Sequence, residues 1–165
     1  MNLPSRKQFE EPECLLADAM RHVREAVLIT TAQLDPPGPE IVFVNEGFCR
    51  MTGYSREEVI GETPRILQGP KTDRAQLDRL RRQLSLGEPF DCEIVNYRKD
   101  GAEYVSEWYT APLRNKAGEI SHWVASQRDV TERKALEEQL RHQILHDPLT
   151  GLPNRVLFME RLEHA

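Results

Sequence analysis

From Ala26 to Thr31 the chain reads AVLITT, a short apolar run rich in branched residues, which predicts a buried strand. The stretch Asp35-Pro36-Pro37-Gly38-Pro39 excludes helix and central strand, because proline fixes φ and has no N–H to donate. Ile41 to Val44 predicts a second short strand, so the pair forms a hairpin with a long tip. Short helical pieces follow at Asn45 to Met51 and Ser55 to Ile60, split by Gly53. Ser55 and Glu58 have capping-box spacing, in which each side chain satisfies a free backbone donor. Thr63-Pro64 places a cap residue before a proline at the first helical position. Asp73 to Leu84 predicts a longer helix with Leu77, Leu80 and Leu84 as its buried stripe. Arg81 falls at the edge of that stripe, about 40° round from Leu77 at 100° per residue.

Three strands complete the pattern. Phe90 to Arg98 ends at Lys99-Asp100-Gly101, Glu103 to Leu113 ends at Asn115-Lys116-Ala117-Gly118, and Ile120 to Asp129 is the last. Such tight connections make neighbours antiparallel. The order predicts an α+β domain: a five-stranded antiparallel sheet with short helices on one face. A helix flanks it on each side. In Glu11 to Arg24, the residues Leu15, Leu16, Ala19, Met20 and Val23 make one apolar stripe. At the other end Asp129 is read as a helix cap with Glu132 three residues on. Leu136, Leu140, Ile144 and Leu145 then form a narrow stripe on an otherwise charged helix, the pattern of a connector or dimer seam. The expected divisions are residues 1–24 (tail and cap helix), 25–130 (the α+β domain), 131–146 (connector helix) and 147–165. The two flanking helices are the expected contacts of a homodimer.

Composition narrows the function classes. Hydrophobic residues are 39% and charged residues 30%, the make-up of one ordinary globular core. The net charge of -5 argues against nucleic acid as a partner, since that needs a dense basic patch. No apolar run approaches the roughly 20 residues that cross a bilayer, and no hydrophobic signal segment opens the chain. A cytoplasmic protein without membrane contact is expected. Cys14, Cys49 and Cys92 are isolated, which predicts free, reduced thiols. His22, His122, His142 and His146 have no metal-ligand spacing. Nor does any nucleophile–base pair, carboxylate pair or glycine-rich phosphate loop appear, so the chain is not expected to be an enzyme.

Strand alternation places Cys92, Ile94 and Asn96 on one face, Tyr104, Ser106 and Trp108 on one face of the next strand, and Trp123, Ala125 and Gln127 on one face of the last. These sets are mainly apolar or aromatic, so they face the core. Each carries a polar group inward, and buried amides need partners. Asn96 and Gln127 would be satisfied together by a flat heteroaromatic edge, or separately by neighbouring backbone. Arg65 and Arg81 fit either a phosphate outside the pocket or boundary residues with their heads in water.

The stretch Val27 to Thr131 resembles PAS domains, and more narrowly the LOV subfamily of flavin photoreceptors. The resemblance lies in Thr52-Gly53-Tyr54-Ser55-Arg56-Glu57-Glu58, Gly61, Arg65-Ile66-Leu67-Gln68-Gly69-Pro70-Lys71-Thr72-Asp73, Asn96-Tyr97-Arg98-Lys99-Asp100-Gly101, Ala111-Pro112 and Gln127-Arg128-Asp129-Val130-Thr131. It implies a PAS fold and a bound flavin, FMN or FAD. Arg65 and Arg81 match the residues that hold the phosphate. Gln68, Asn96, position 106 and Gln127 match those that read the ring. Two positions depart from the pattern: the photoactive cysteine is replaced by Pro64 and an asparagine by Ser106. Without a thiol at 64 the light-driven covalent bond cannot form, and Ser106 lacks the amide donor and acceptor.

Asp147-Pro148-Leu149-Thr150-Gly151-Leu152-Pro153-Asn154-Arg155 looks like the opening of a GGDEF diguanylate cyclase domain. The Gly-Gly-Asp/Glu-Glu-Phe run itself is absent, so the chain reads as cut from a longer protein that makes cyclic-di-GMP, with or without a phosphodiesterase domain. The resemblances together imply a redox or light sensor acting on that output. Gln127 is its expected switch, because an amide can present oxygen or nitrogen. Asp129 and Glu132, in the first turn of the exit helix, would carry the signal. The alternative is a cofactor-free PAS module for dimerisation and relay, with Trp108 filling the pocket.

Overall fold

The computed structural model describes residues 19–20, 22–145 and 154. The chain divides into two compact units, Met1–Asp129 and Val130–Ala165.

The first unit is built on a five-stranded antiparallel sheet. Its strands are β1 (Ala26–Thr31), β2 (Ile41–Val44), β3 (Phe90–Tyr97), β4 (Glu103–Arg114) and β5 (Ile120–Asp129), in spatial order β2-β1-β5-β4-β3. The first and last strands pair at the centre, Leu28 opposite Ala125 and Ala26 opposite Gln127. Between β2 and β3 lie α1 (Glu46–Thr52), α2 (Arg56–Val59), a 3-10 turn (Pro64–Leu67) and α3 (Arg74–Leu86). Phe48, Val59 and Leu67 from these pieces pack on Ala26, Leu28, Ile41, Val44 and Ala125 of the sheet. The α+β architecture expected from the strand–helix–strand order is the one observed.

Local capping chemistry sets the helix ends. Ser55 and Glu58 form the reciprocal capping box, with Ser55 N donating to Glu58 Oε2 at 2.9 Å. Asp73 stands just outside α3, its carboxylate accepting from Ala75 N and Gln76 N. Gly87 ends α3 in the left-handed region, φ 73°, where a side chain would be strained. Asn45, expected as the first residue of a helix, is instead the cap of α1 and does more than cap. Its Oδ1 accepts from Phe48 N and Val27 N, both at 2.9 Å, while Nδ2 donates to Glu25 O at 2.9 Å. Met20 O and Val23 O accept from the same nitrogen at 3.3 and 3.4 Å. One fully buried amide thus ties α1 to β1 and to the segment before it.

Arg98 closes the far end of the sheet. Its guanidinium donates to Met51 O, pairs with Asp129, and lies over the Tyr104 ring with 4.7 Å to the centroid.

The second unit is described for α4 (Thr131–Leu145) and Asn154. Lys134 N donates to Val130 O at 2.9 Å in its first turn. Asp129 precedes this first turn and Glu132 lies in it. Leu136, Leu140 and Ile144 are exposed along α4. Asn154 N donates to Leu145 O at 2.9 Å and Asn154 Nδ2 to Ile144 O at 2.5 Å, satisfying carbonyls at the helix end. Apart from Ala19, Met20, His22 and the residues after them, the expected N-terminal helix lies outside the described residues. The same holds for the expected GGDEF opening, Asn154 excepted. Among the described residues no helix is long and apolar enough to cross a membrane, and no three His, Cys, Asp or Glu side chains cluster as metal ligands do.

Candidate functional site

Between the sheet and the helical pieces of the first unit lies a cavity of about 320 Å³, near the lower end of the roughly 300–1,000 Å³ of small-molecule pockets. Every sheet strand except β2 contributes to its floor: Leu28 and Thr30 from β1, Asn96 from β3, Trp108 and Thr110 from β4, Trp123, Ala125 and Gln127 from β5. Alternation explains the set, since each is an inward residue at a two-residue step. The opposite wall is Leu67 with Leu77, Leu80 and Leu84 of α3. This accounts for the only partial burial of Leu77 and Leu80: the predicted stripe faces the cavity rather than a filled core.

The rim is charged. Arg65, Arg74 and Arg81, all exposed, border the cavity together with Asp78. Leu34 and Pro39 of the proline-rich tip complete it, and Gly38 brings that tip beside Arg65; a Cβ on Gly38 would lie 3.6 Å from the guanidinium. Gln68 is held at the rim, its Oε1 accepting from Arg74 Nη1 at 3.2 Å. The turn that carries Gln68 is fixed from beneath. Gly69 N donates to Thr72 Oγ1 (2.9 Å), Thr72 Oγ1 donates to Val95 O (2.8 Å), and Lys71 N donates to Tyr97 Oη (3.0 Å). Residue 69 must be glycine for this, because a Cβ would sit 2.2 Å from the Tyr97 ring.

The floor holds polar atoms that the protein leaves unsatisfied. Gln127 Oε1, Trp108 Nε1 and Trp123 Nε1 are buried and have no hydrogen-bond partner. Gln127 is only 2% exposed and Trp123 3%. Each such orphan costs about 1–3 kcal/mol; all three atoms are closed off from the cavity space, and the Trp108 indole lies against the Cys92 thiol. The mainly apolar lining with the amides of Gln68, Asn96 and Gln127 fits a polar-edged heteroaromatic ligand, and the guanidiniums at the rim fit an anionic tail.

Of the residues picked out in the sequence, the structure brings Arg65, Gln68, Arg81, Asn96 and Gln127 to this one cavity. Ser106 is not on the wall. It is fully buried opposite Ile94 and Asp129, its hydroxyl without a partner. Asp129 lies outside the cavity, paired with Arg98. Gln127 also borders a second cleft, whose lining includes Arg98 and Asp129. Pro64 is on the cavity wall, whereas neither Cys49 nor Cys92 is. Burial pushes the Cys92 thiol up to about 11, with the Trp108 indole opposite it acting the other way. Burial likewise pushes the Tyr104 phenol up to about 12.

Sequence reasoning missed three contributors. Arg74 follows a helix cap and carries no periodic signal. Leu34 and Pro39 belong to an irregular loop. The inward direction of Trp108 and Trp123 was legible from alternation, but the lack of a partner for either N–H was not.

An antiparallel sheet with a cavity under short helices defines the class of this α+β domain. The profile of the PAS domain family matches residues 24–132, and the chain belongs to that family. It is 38% identical over 105 residues to the blue-light-activated histidine kinase of Brucella canis, covering 64% of this chain and 21% of that protein. It is 32% identical over 155 residues to the bacterioopsin transcriptional activator of Halobacterium salinarum, covering 86% of this chain and 23% of that protein. The chain thus spans under a quarter of the length of these curated relatives. Among solved structures it superposes on an RNA-binding Light-Oxygen-Voltage receptor with a TM-score of 0.75 at 26% identity, covering 99% of this chain and 43% of the other. The light-state structure of the blue-light photoreceptor Aureochrome1 LOV gives a TM-score of 0.62 at 33% identity, covering 75% and 98%. The domain is a PAS sensory domain of the LOV type.

Proposed function

We propose that residues 25–130 hold a flavin, FMN or FAD, and report light or redox state through α4 to a cyclic-di-GMP output domain. The observation that carries this reading is one cavity that brings the amide residues Gln68, Asn96 and Gln127 to an apolar space rimmed by guanidiniums. The names of the relatives, a blue-light-activated kinase and Light-Oxygen-Voltage receptors, support it.

Asn96, Gln127 and Gln68 would hold the ring edge, and Arg65 with Arg81 the phosphate. When bound, the flavin supplies visible-light absorption and reversible redox chemistry. The leucines of α3 and Leu67 keep water from the ring. No described cysteine reaches the wall and Pro64 occupies the position matching the photoactive residue, so the response runs without a covalent bond. Gln127 is the switch: its amide can turn to present oxygen or nitrogen as the bound group's needs change. Two residues on, Asp129 ends β5 and pairs with Arg98, so a shift of Gln127 is felt where the strand gives way to the chain entering α4. Couplings of this sort amount to about 1–3 kcal/mol.

This chain is a non-catalytic sensor in a cytoplasmic protein. The residues from Asp147 resemble the start of a diguanylate cyclase, and the exposed Leu136, Leu140 and Ile144 of α4, with the N-terminal helix, suit a homodimer seam that sets how two output domains meet. A cofactor-free relay is the second reading, resting on the large indole of Trp108 at the cavity.

The absorption spectrum of the purified chain tests the proposal. A yellow protein with an oxidised-flavin band is expected, either as isolated or after adding FMN or FAD. A colourless protein that takes up neither removes the flavin reading and leaves the relay.

A further inference from the structure

The second cleft of the first unit, about 500 Å³, is lined by Arg24, Arg50, Arg98 and Arg128, in a chain whose net charge is -5. The two carboxylates on the cleft are both taken. Glu25 pairs with Arg128, and Asp129 pairs with Arg98. Arg98 is further engaged by Met51 O and the Tyr104 ring. Arg24 and Arg50 are left over. Both are exposed, and among the described residues neither has an ion pair or a side-chain hydrogen bond.

Backbone packing brings these two guanidiniums to one place. Gly47 of α1 is buried against the segment before β1, and a Cβ on it would lie 2.3 Å from Glu25 O and 2.8 Å from Arg24 O. Arg50 follows Gly47 by three residues and so shares its face of the helix. Asn45, the cap of the same helix, donates to Glu25 O at 2.9 Å. Main-chain contacts thus fix α1 against Arg24, and with it two like charges whose repulsion the protein itself does not offset.

We propose that this cleft is a binding site for a phosphoryl group, held by Arg24 and Arg50. A phosphate monoester carries about -1.5 to -2 at pH 7, which matches the two uncompensated charges. Each guanidinium offers a fork of parallel N–H donors, and the three terminal oxygens of a phosphoryl group accept from two forks at once. A carboxylate has one charge and two oxygens, and a single fork saturates it. The cleft is larger than a lone ion needs, so it suits free phosphate and a phosphate ester with a small organic body. The proposal does not rest on the flavin reading, since of the cleft's residues only Gln127 also borders the cavity. An anion held there would stand beside Gln127 and the Arg98–Asp129 pair, the residues between that cavity and the end of β5.

The test titrates the full chain, free of flavin, with inorganic phosphate and with AMP while its backbone 15N–1H signals are followed. The amides of Arg24, Glu25, Gly47 and Arg50 are expected to shift and to saturate together. Arg24→Gln and Arg50→Gln should each weaken the affinity read from those signals roughly 3- to 10-fold. Arg82→Gln removes the same charge from an exposed place on α3 that borders neither space, and should leave the affinity unchanged. Tighter binding of AMP than of phosphate would assign the site to an ester, and equal binding to the free anion. Signals that stay put or drift without saturating up to about 10 mM of either probe overturn the proposal. An equal loss in all three variants overturns it too, because the effect would then be one of overall charge. If the shifts gather instead around Arg65 and Arg81, the cleft is not the site and the flavin reading is untouched.

Discussion

Gln127 on β5 and Trp108 on β4 face each other across the sheet, and neither the amide Oε1 nor the indole Nε1 has a hydrogen-bond partner. The backbone ladder fixes their positions, and the leucines of α3 across the cavity have nothing to offer them. The fold thus leaves two polar groups poorly satisfied at a cost in its own stability. Binding sites are commonly built this way, since groups ordered in advance lose little on binding.

Replacing Gln127 with leucine should therefore act in opposite directions on stability and binding. The ligand-free protein is expected to hold its stability or gain about 1 kcal/mol, because an unsatisfied acceptor disappears. Flavin affinity should fall, and reduction of any bound flavin should no longer change spin-label distances between α4 helices of a dimer. Thermal unfolding, flavin titration and pulsed dipolar spectroscopy check the three outcomes. A full α4 response in the variant would place the switch elsewhere.

Arg65 and Arg81 should distinguish a phosphate from a bare ring. Charge-assisted hydrogen bonds contribute about 1.5–3 kcal/mol, so Arg65→Ala and Arg81→Ala are each expected to weaken FMN roughly 10- to 150-fold and riboflavin hardly at all. Equal loss for both ligands would mean that the guanidiniums shape the rim without touching an anion.

Asn45 is a structural clamp rather than a site residue. Asn45→Ala strands Val27 N and Glu25 O in the interior and should cost about 2–4 kcal/mol in urea unfolding. Asn45→Asp should not rescue it, because a carboxylate oxygen would then face the carbonyls of Glu25, Val23 and Met20. A variant as stable as wild type would show that the clamp is dispensable.

Cys92 should be a poor nucleophile in the folded chain. With its thiol raised from 9.0 to about 11 by burial, the thiolate at pH 8 is about 100-fold scarcer than for an ordinary cysteine, and iodoacetamide labelling should slow accordingly. The sign for stability follows from the same shift. Below pH 9 the thiol is protonated in both states and nothing changes; above it the unfolded chain loses the proton first, so stability falls as pH rises from 9 towards 11. Peptide-resolved mass spectrometry and unfolding curves across that range test both statements. Rapid native labelling of Cys92 at pH 8 would contradict them.

Much of the fold was legible in the sequence because its signals are local. The Ser55–Glu58 box, the Asp73 cap and the glycine after α3 act within one helical turn, so reading neighbours sufficed. Alternation alone sent Asn96, Trp108, Trp123 and Gln127 inward. The misreadings involve distant partners or a shift of one residue. Asn45 looked like the start of a helix, yet most of its bonds go to residues 18 to 25 positions back. The Asp129 carboxylate meets Arg98, a partner 31 residues back that its place before the exit helix did not announce. Ser106 points inward as expected but stops short of the cavity.

The order and type of elements, and which side chains turn toward the core, are properties of short stretches of chain, and periodicity and cap chemistry determined them without any knowledge of the whole. Whether an inward polar group finds a partner is different. It depends on what β1, β3, β4, β5 and α3 bring to the same few ångströms, and those segments are far apart in sequence. Only the assembled structure decided that Trp108, Trp123 and Gln127 would each bury a polar atom without a normal hydrogen bond, because hydrogen-bond satisfaction is a property of three-dimensional neighbours, not of residue type.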